Sequence, residues 1–414
     1  MKRFIVLSLV VFAMSLGTSA LLAQGQGDEH AVVVVPDSSV EHPGDAGVRS
    51  HTNHMILDHP MKGGGGGPAG ETPGSLACVY GLVASSGTNC PIASSKTVPS
   101  GGSGAIAIVD AYDYPTAYND LTVFSNQFNL PVLPQCSSTI TTSCFQKAYP
   151  GGTAPRVNCG WAQEEALDIE WAHAMAPNAK IVLVEAATNG NADLYAAVDY
   201  ASGLPGVTQV SMSWGSNETP SEASADSHFA TSGVVYFAAS GDTGGKTIYP
   251  GVSPNVVCAG GTSVNRSGGN FTSESAWSGS GGGTSAYEPI PGYQSVIAGL
   301  LNGHRGVPDF SFDANPNTGV AVYDTTSCQG RTGWMVFGGT SVASPSLAGI
   351  VNLSGSKYTS TDTELSTIYS CYATPSCYSS NFRDITSGSA GSFSAATGWD
   401  FVTGVGSNKG TVSK

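Results

Sequence analysis

Lys180-Ile181-Val182-Leu183-Val184-Glu185 is an unbroken, largely β-branched apolar run, without the polar alternation of a strand that has one wet face. A strand buried on both faces reads this way, which implies a parallel sheet between layers of helices. Four further runs share the pattern: Ala105 to Asp110, Val207 to Trp214, Val234 to Ala239 and Val256 to Ala259. Helix-length segments separate them. The expected fold is therefore α/β, a parallel sheet flanked by helices on both faces, in one large domain from about residue 76 to 414. In such sheets ligands bind beyond the carboxyl ends of the strands. Three loops lie there: Asp110-Ala111-Tyr112-Asp113, Ser213-Trp214-Gly215-Ser216, and Ser240 to Gly245.

The 414 residues carry 16 Lys+Arg against 30 Asp+Glu, a formal charge of −14. That balance argues against nucleic acid or an anionic membrane as partner, since both need clustered cations. Only 11% of residues are charged, against roughly 25% in ordinary soluble domains, so acidification adds little repulsion to this surface. At the amino terminus Lys2 and Arg3 precede an apolar stretch from Phe4 to about Leu16 and then small residues. This pattern predicts a secretory signal over residues 1–24, cleaved after Ala20 or Ala23, and a secreted, soluble, monomeric protein. Residues 25–75 hold five of the eight histidines (His30, His42, His51, His54, His59) and include Gly63 to Gly67 before Pro68. They read as a short pro-segment and flexible linker. Nine cysteines suit a secreted chain, and spacing suggests the pairs Cys78 with Cys90, Cys136 with Cys144 and Cys371 with Cys377. Cys159, Cys258 and Cys328 remain, and Cys258 reads as a buried free thiol.

Phe337-Gly338-Gly339-Thr340-Ser341-Val342-Ala343-Ser344-Pro345 places glycines before a serine and then opens a small-residue helix. A serine there faces unpaired backbone N–H groups and a positive dipole end, which favour developing negative charge. Pro345 is tolerated in a first helical turn, so the helix is expected to begin near Ser341. The nucleophile needs a base. His173, His228 and His304 lack the glycine-rich surroundings of a catalytic histidine loop, and His173 reads as a satisfied helix residue. Glu164 and Asp168 instead lie four apart on one helix face, so their carboxyls can touch. Two carboxyls held that close are stable only if they share a proton or something nearby needs the charge, an arrangement that splits their pKa values, and the bland alternative is a solvated acidic face. Glu165 and Glu170 on the same helix are expected to be surface charges.

These residues, in this order, resemble the sedolisins, or serine-carboxyl peptidases. The resemblance covers about residues 100 to 408. It rests on Glu164-x-x-Leu167-Asp168 followed by Ala176-Pro177, on Ser211-x-Ser213-Trp214-Gly215, on Ala239-Ser240-Gly241-Asp242, and on Gly339-Thr340-Ser341-x-x-x-Pro345. It implies a subtilisin-like fold in which Ser341 is the nucleophile, Glu164 the general base, Asp168 its orienting partner and Asp242 the oxyanion residue. A carboxyl donates a hydrogen bond to an oxyanion only when protonated, so Asp242 must be neutral during turnover. A histidine base of pKa near 6.5 is idle at pH 3 to 4, whereas a glutamate near 4.3 is poised there. The expected activity is acid-acting endopeptidase cleavage of proteins or peptides. Ser213, Trp214 and Gly215 would pair their backbone with an extended substrate, although Trp214 also reads as a core aromatic at a strand end. Asp110 would support the site without being catalytic.

Phe382 to Thr386 and Ala396 to Asp400 resemble the family's calcium loops. By that likeness one structural Ca2+ would take Asp384, the carbonyls of Ile385, Ala396 and Gly398, and Asp400, a hard-oxygen set that suits it. Ala396 stands where relatives often have glycine. Relatives usually carry a folded pro-domain of well over a hundred residues, whereas about fifty precede the domain here. Either folding needs less assistance or residues 25–75 act as a short blocking peptide, cleaved near residue 76. The rival readings are a histidine-dependent protease of neutral pH and a catalytically silent, calcium-stabilised secreted binding protein.

Overall fold

A computed structural model describes residues 32–58, 68–84, 89–139 and 141–414. The expected signal sequence and the Gly63–Gly67 linker lie outside the described residues. The central sheet runs Phe145–Ala148, Lys180–Ala186, Ala105–Ala111, Val207–Met212, Val235–Ala239, Val257–Ser267, Phe310–Asp313 and Ser407–Asn408, and these eight neighbours are parallel. Phe382–Arg383 adds an antiparallel edge, and Asn270–Ala276 pairs antiparallel with Val257–Ser267. The five strands expected from the sequence are all present, as is the predicted α/β class.

The apolar runs lack alternation because both faces are buried. Along Ala105–Ala111, Ile106 and Ile108 join one core, whereas Ala105, Ala107 and Val109 join the other. Helix Asn191–Ser202 covers the second face. The first is covered by helices Cys159–Met175 and Thr340–Ser354, which pack against each other. The first strand of this sheet, Ala105–Ala111, lies inside it between Lys180–Ala186 and Val207–Met212, so the strand order reverses there, which opens the crevice that such folds use for ligands.

Helix Cys159–Met175 is capped by Asn158, whose side chain accepts from Gly160 N and Trp161 N at 3.0 and 3.3 Å. Every residue from Gly160 to Met175 is buried, because the sheet, the hairpin Val320–Gly338 and Thr340–Ser354 surround it. Glu165 and Glu170 are thus not the surface charges expected. A helix enclosed on every side must carry its acids inside, and there they hold their protons. Glu170 Oε2 accepts from Tyr323 N at 3.0 Å, and burial pushes both carboxyls well above the usual range.

Helix Thr340–Ser354 begins one residue before Ser341, close to expectation, but Pro345 lies beyond its first turn. The missing Pro345 N–H leaves the Ser341 carbonyl without its helical donor, and Ser213 Oγ approaches that carbonyl at 3.4 Å in its place.

Residues 32–58 belong to the same compact unit as the sheet. Val32–Val34 pairs with Met55–Asp58, which pairs with Arg331–Gly338, while His51–Thr52 pairs with Trp214–Asn217. The three disulfides suggested by spacing are formed. A fourth, Cys159–Cys328, ties the start of the acidic helix to the hairpin leading into Ser341, and Cys258 is free and buried. Among the described residues no helix is long and apolar enough to cross a membrane.

Candidate active site

Ser341 sits in the first turn of its helix, where backbone N–H groups are unpaired by helical geometry. Its own N–H reaches Asn53 O at 3.0 Å, and its Oγ donates to Ser213 O at 3.2 Å. The preceding Gly339 has φ +101. A Cβ at Gly339 would strike Asn53 O and Asp242 Oδ2, so only glycine allows the three groups to crowd together.

Asp242 follows strand Val235–Ala239, at the carboxyl end of the sheet. Its Oδ1 accepts from Thr340 N at 2.7 Å and Thr340 Oγ1 at 2.8 Å. Its Oδ2 is buried with no partner among the described residues. Burial raises the Asp242 pKa to about 7, against the lowering pull of the Thr340 bonds. One oxygen is thereby held as an acceptor and the other left for the proton. Sequence reasoning reached Asp242 but not Thr340, which aims it.

Glu164 and Asp168 lie on adjacent turns of the buried helix, close enough for the charge of one to act on the other. Ser213 Oγ donates to Asp168 Oδ1 at 2.9 Å. Ser213 thus serves the acid pair with its side chain and Ser341 with its carbonyl. Burial raises Glu164 to about 8, partly offset by the nearby Ser341 hydroxyl; Asp168 rises well above its usual range through burial and the Glu164 charge. Asp110, buried beneath them, rises for the same first reason and then through Asp168 and Glu164. The four residues expected from separate stretches of sequence, Glu164, Asp168, Asp242 and Ser341, therefore converge on one place.

The sequence did not reveal what fills the space between them. His54 Nδ1 stands 2.7 Å from Glu164 Oε2, stacked on Phe337, and burial lowers its pKa to about 4. Asn53 N donates to Ser213 O at 3.1 Å, while Thr52 pairs with Trp214 and His51 with Gly215. Trp214 itself is a core aromatic: it is fully buried and Nε1 donates to Val109 O at 2.7 Å. Its strand offers backbone, not side chain, to the occupant. His173 is satisfied as expected, with Nε2 on Pro131 O at 2.9 Å, and His228 pairs with Asp199 away from the site. Among the described histidines, His54 is the one bonded to the acid pair.

At the carboxy-terminal loops, Gly398 N donates to Asp384 Oδ1 at 3.0 Å and Ala396 N to Asp400 Oδ2 at 3.1 Å. The two loops expected to hold a cation therefore meet. The carbonyls of Ile385, Ala396 and Gly398 accept no hydrogen bond among the described residues. Asp400 is committed differently, since its oxygens also accept from Val402 N, Thr403 N and Thr403 Oγ1. No cluster of three or more His, Cys, Asp or Glu ligands occurs among the described residues, so a cation here would rely on carbonyl oxygens, which suits calcium.

A subtilisin-like α/β sheet, with a serine at a helix N-terminus and two carboxyls on the neighbouring helix, defines the class. No family model matches the chain. Sedolisin of Pseudomonas sp. (strain 101) is 32% identical over 264 residues, 54% of this chain and 43% of the relative. Kumamolisin of Bacillus sp. (strain MN-32) is 33% identical over 284 residues, 59% of this chain and 49% of the relative. A solved Pseudomonas sedolisin, a serine-carboxyl proteinase complexed with pseudo-iodotyrostatin, superposes with a TM-score of 0.65 at 24% identity, covering 83% of this chain and 96% of that one. Over the matched stretch the chain is thus similar to sedolisin-family proteins, and it spans about half the length of the curated relatives it matches.

Proposed function

We propose that the protein is a secreted, acid-acting serine endopeptidase. Ser341 Oγ attacks the substrate carbonyl and passes its proton to Glu164, which Asp168 orients. The oxyanion is held by Ser341 N and by the protonated Oδ2 of Asp242. An acyl-enzyme on Ser341 forms, and water activated by Glu164 releases the acid product. The observation that carries this reading is the single carbonyl oxygen, that of Asn53, received by Ser341 N beside the unpartnered Asp242 Oδ2. That is where an oxyanion would sit. The high pKa of Glu164 belongs to a filled, dry cleft; once water replaces the occupant, the desolvation that dominates its shift falls away and it can ionise. A catalytically silent binding scaffold is not favoured, because the solved Pseudomonas protein of similar fold is a serine-carboxyl proteinase, which supports a peptidase reading of the four side chains.

One Ca2+ at the carboxy-terminal loops is part of the proposal. Asp384 and the carbonyls of Ile385, Ala396 and Gly398 would hold it. Asp400, bonded to four backbone or hydroxyl donors, would shape the loop and join the ion only by giving up some of those bonds. The ion's contribution would be structural cross-linking of the two loops.

Ser341→Ala tests the proposal. Hydrolysis of an unstructured protein should disappear while the melting temperature stays near wild type, since one buried hydroxyl bond is worth about 1 kcal/mol. A variant that still hydrolyses protein would refute the assignment of the nucleophile.

A further inference from the structure

Ile248 stands between two glycines of the cleft. Its strand, Ile248–Tyr249, pairs antiparallel with Trp214–Asn217, with Ile248 opposite Asn217. On the other edge of Trp214–Asn217 lies His51–Thr52, with His51 opposite Gly215. Alternation along the strands puts Ile248, Asn217, Gly215, His51 and, two residues on, Asn53 on one face of this three-stranded sheet. Asn53 bonds Ser213 O through its N–H at 3.1 Å, and its carbonyl rests on Ser341 N at 3.0 Å. It marks the position of the residue on the acyl side of a scissile bond. A Cβ placed on Gly215 would lie 2.6 Å from Ile248 Cδ1, and one on Gly241, next to Asp242, 3.2 Å from the same atom. One methyl group therefore stands between two glycine walls. Ile248 is 6% exposed, yet it belongs to none of the hydrophobic cores among the described residues.

We infer that Ile248 sets specificity on the acyl side of the cut bond and confines the protein to cleavage after small side chains such as alanine, serine and asparagine. The inference rests on the peptidase reading and adds a substrate class to it. Glycines at 215 and 241 let a side chain pass between two stretches of backbone, and the Ile248 methyl ends that passage. The Asn53 side chain stays beside the reacting groups: its Nδ2 is 3.4 Å from Ser213 O, the oxygen that also accepts from Ser341 Oγ. A leucine, phenylalanine or arginine at that position would reach farther and meet Ile248. Ile248 has little freedom to retreat, because its strand is paired to Trp214–Asn217 and its side chain touches backbone on both sides. A single methylene of misfit in an apolar pocket changes kcat/KM by about 10- to 200-fold, and an aromatic ring exceeds asparagine by more than that.

The test gives the full-length wild type and its Ile248→Ala variant a set of peptides alike except for Ala, Asn, Leu, Phe or Arg before the bond cut, at about pH 4.5. Mass spectrometry locates the cut, and hydrolysis of casein by the same preparations is followed in parallel. The expected result is a wild-type kcat/KM at least about 100-fold higher for the alanine and asparagine peptides than for phenylalanine. Ile248→Ala should raise the ratio of phenylalanine to alanine cleavage at least about tenfold. That ratio is unaffected by a loss of folded enzyme, which lowers both rates alike. A wild type that digests casein and cuts after phenylalanine as readily as after alanine would overturn the inference and leave the peptidase reading standing. A ratio unchanged in Ile248→Ala would do the same. Should that variant fail to fold, the wild-type casein fragments decide: cuts mainly after small residues support the inference, and cuts mainly after aromatic or long residues overturn it. Absence of hydrolysis of casein and of every peptide would remove the peptidase reading and this inference together.

Discussion

Asp242 shows how one side chain sets a pH range. Thr340 supplies two donors to Oδ1, burial lifts the pKa to about 7, and the remaining oxygen can donate only while protonated. An oxyanion donor of this kind is complete below that value and lost as pH rises through it. Removing such a donor costs about 10²- to 10³-fold in kcat, the loss expected for Asp242→Ala. Asp242→Asn keeps an N–H donor at every pH, so its activity should persist above pH 7, where wild-type activity falls. A pH–rate profile of Asp242→Asn that falls off alongside the wild type would show that the limb belongs to another group. Asp242 was visible in the sequence as a turn aspartate after a strand; Thr340 and the Ser213 hydroxyl were not, because their roles depend on residues about a hundred or forty-five positions away.

Among the elements, the strands were legible because parallel packing writes itself as unbroken apolar runs. The helix Cys159–Met175 was legible as a helix but misjudged in its surroundings. Glu165 and Glu170 interrupt an otherwise apolar surface, which resembles a wet face in one dimension. Only the packing of the hairpin and the serine helix shows that every side is enclosed. Residues 32–58 were the least legible. Short strands paired to distant partners leave little periodicity, so His54 could not be connected to Glu164 from sequence. For the carboxy-terminal loops, three unpaired carbonyls beside Asp384 predict that Ca2+ raises the melting temperature and that chelation lowers it by several degrees. Asp384→Ala should abolish the calcium response, as read by thermal unfolding with and without the ion; a response unchanged in that variant would exclude this site.

Among the described residues, the buried carboxyls outnumber the buried histidines, and that balance should tilt stability toward acid. Burial raises Glu364 to about 8 and Asp324 to about 7, and raises Glu165, Glu170 and Asp110 well above their ordinary values. A carboxyl raised on folding stabilises fully below its unfolded value near 4.5, and that contribution is lost as pH rises through about 7 to 8. His173, lowered to about 4, acts oppositely: its contribution is complete above 6.5 and lost as pH falls toward 4. The several acids outweigh it, so unfolding by heat should occur at least about 5 °C higher at pH 4.5 than at pH 7.5, given about 2–4 °C per kcal/mol for a domain of 150–250 residues. Equal midpoints, or a higher one at pH 7.5, would mean that these groups are hydrated or paired in solution.

The central claim is that carboxyls, not a histidine, drive Ser341. Hydrolysis of an unstructured protein from pH 2 to 9 by the wild type, Ser341→Ala and Glu164→Ala tests it most directly. The account predicts wild-type activity in the acid range, lost as pH rises through about 7, and none from either variant. Activity that peaks at neutral or alkaline pH, or that survives Glu164→Ala, would contradict it.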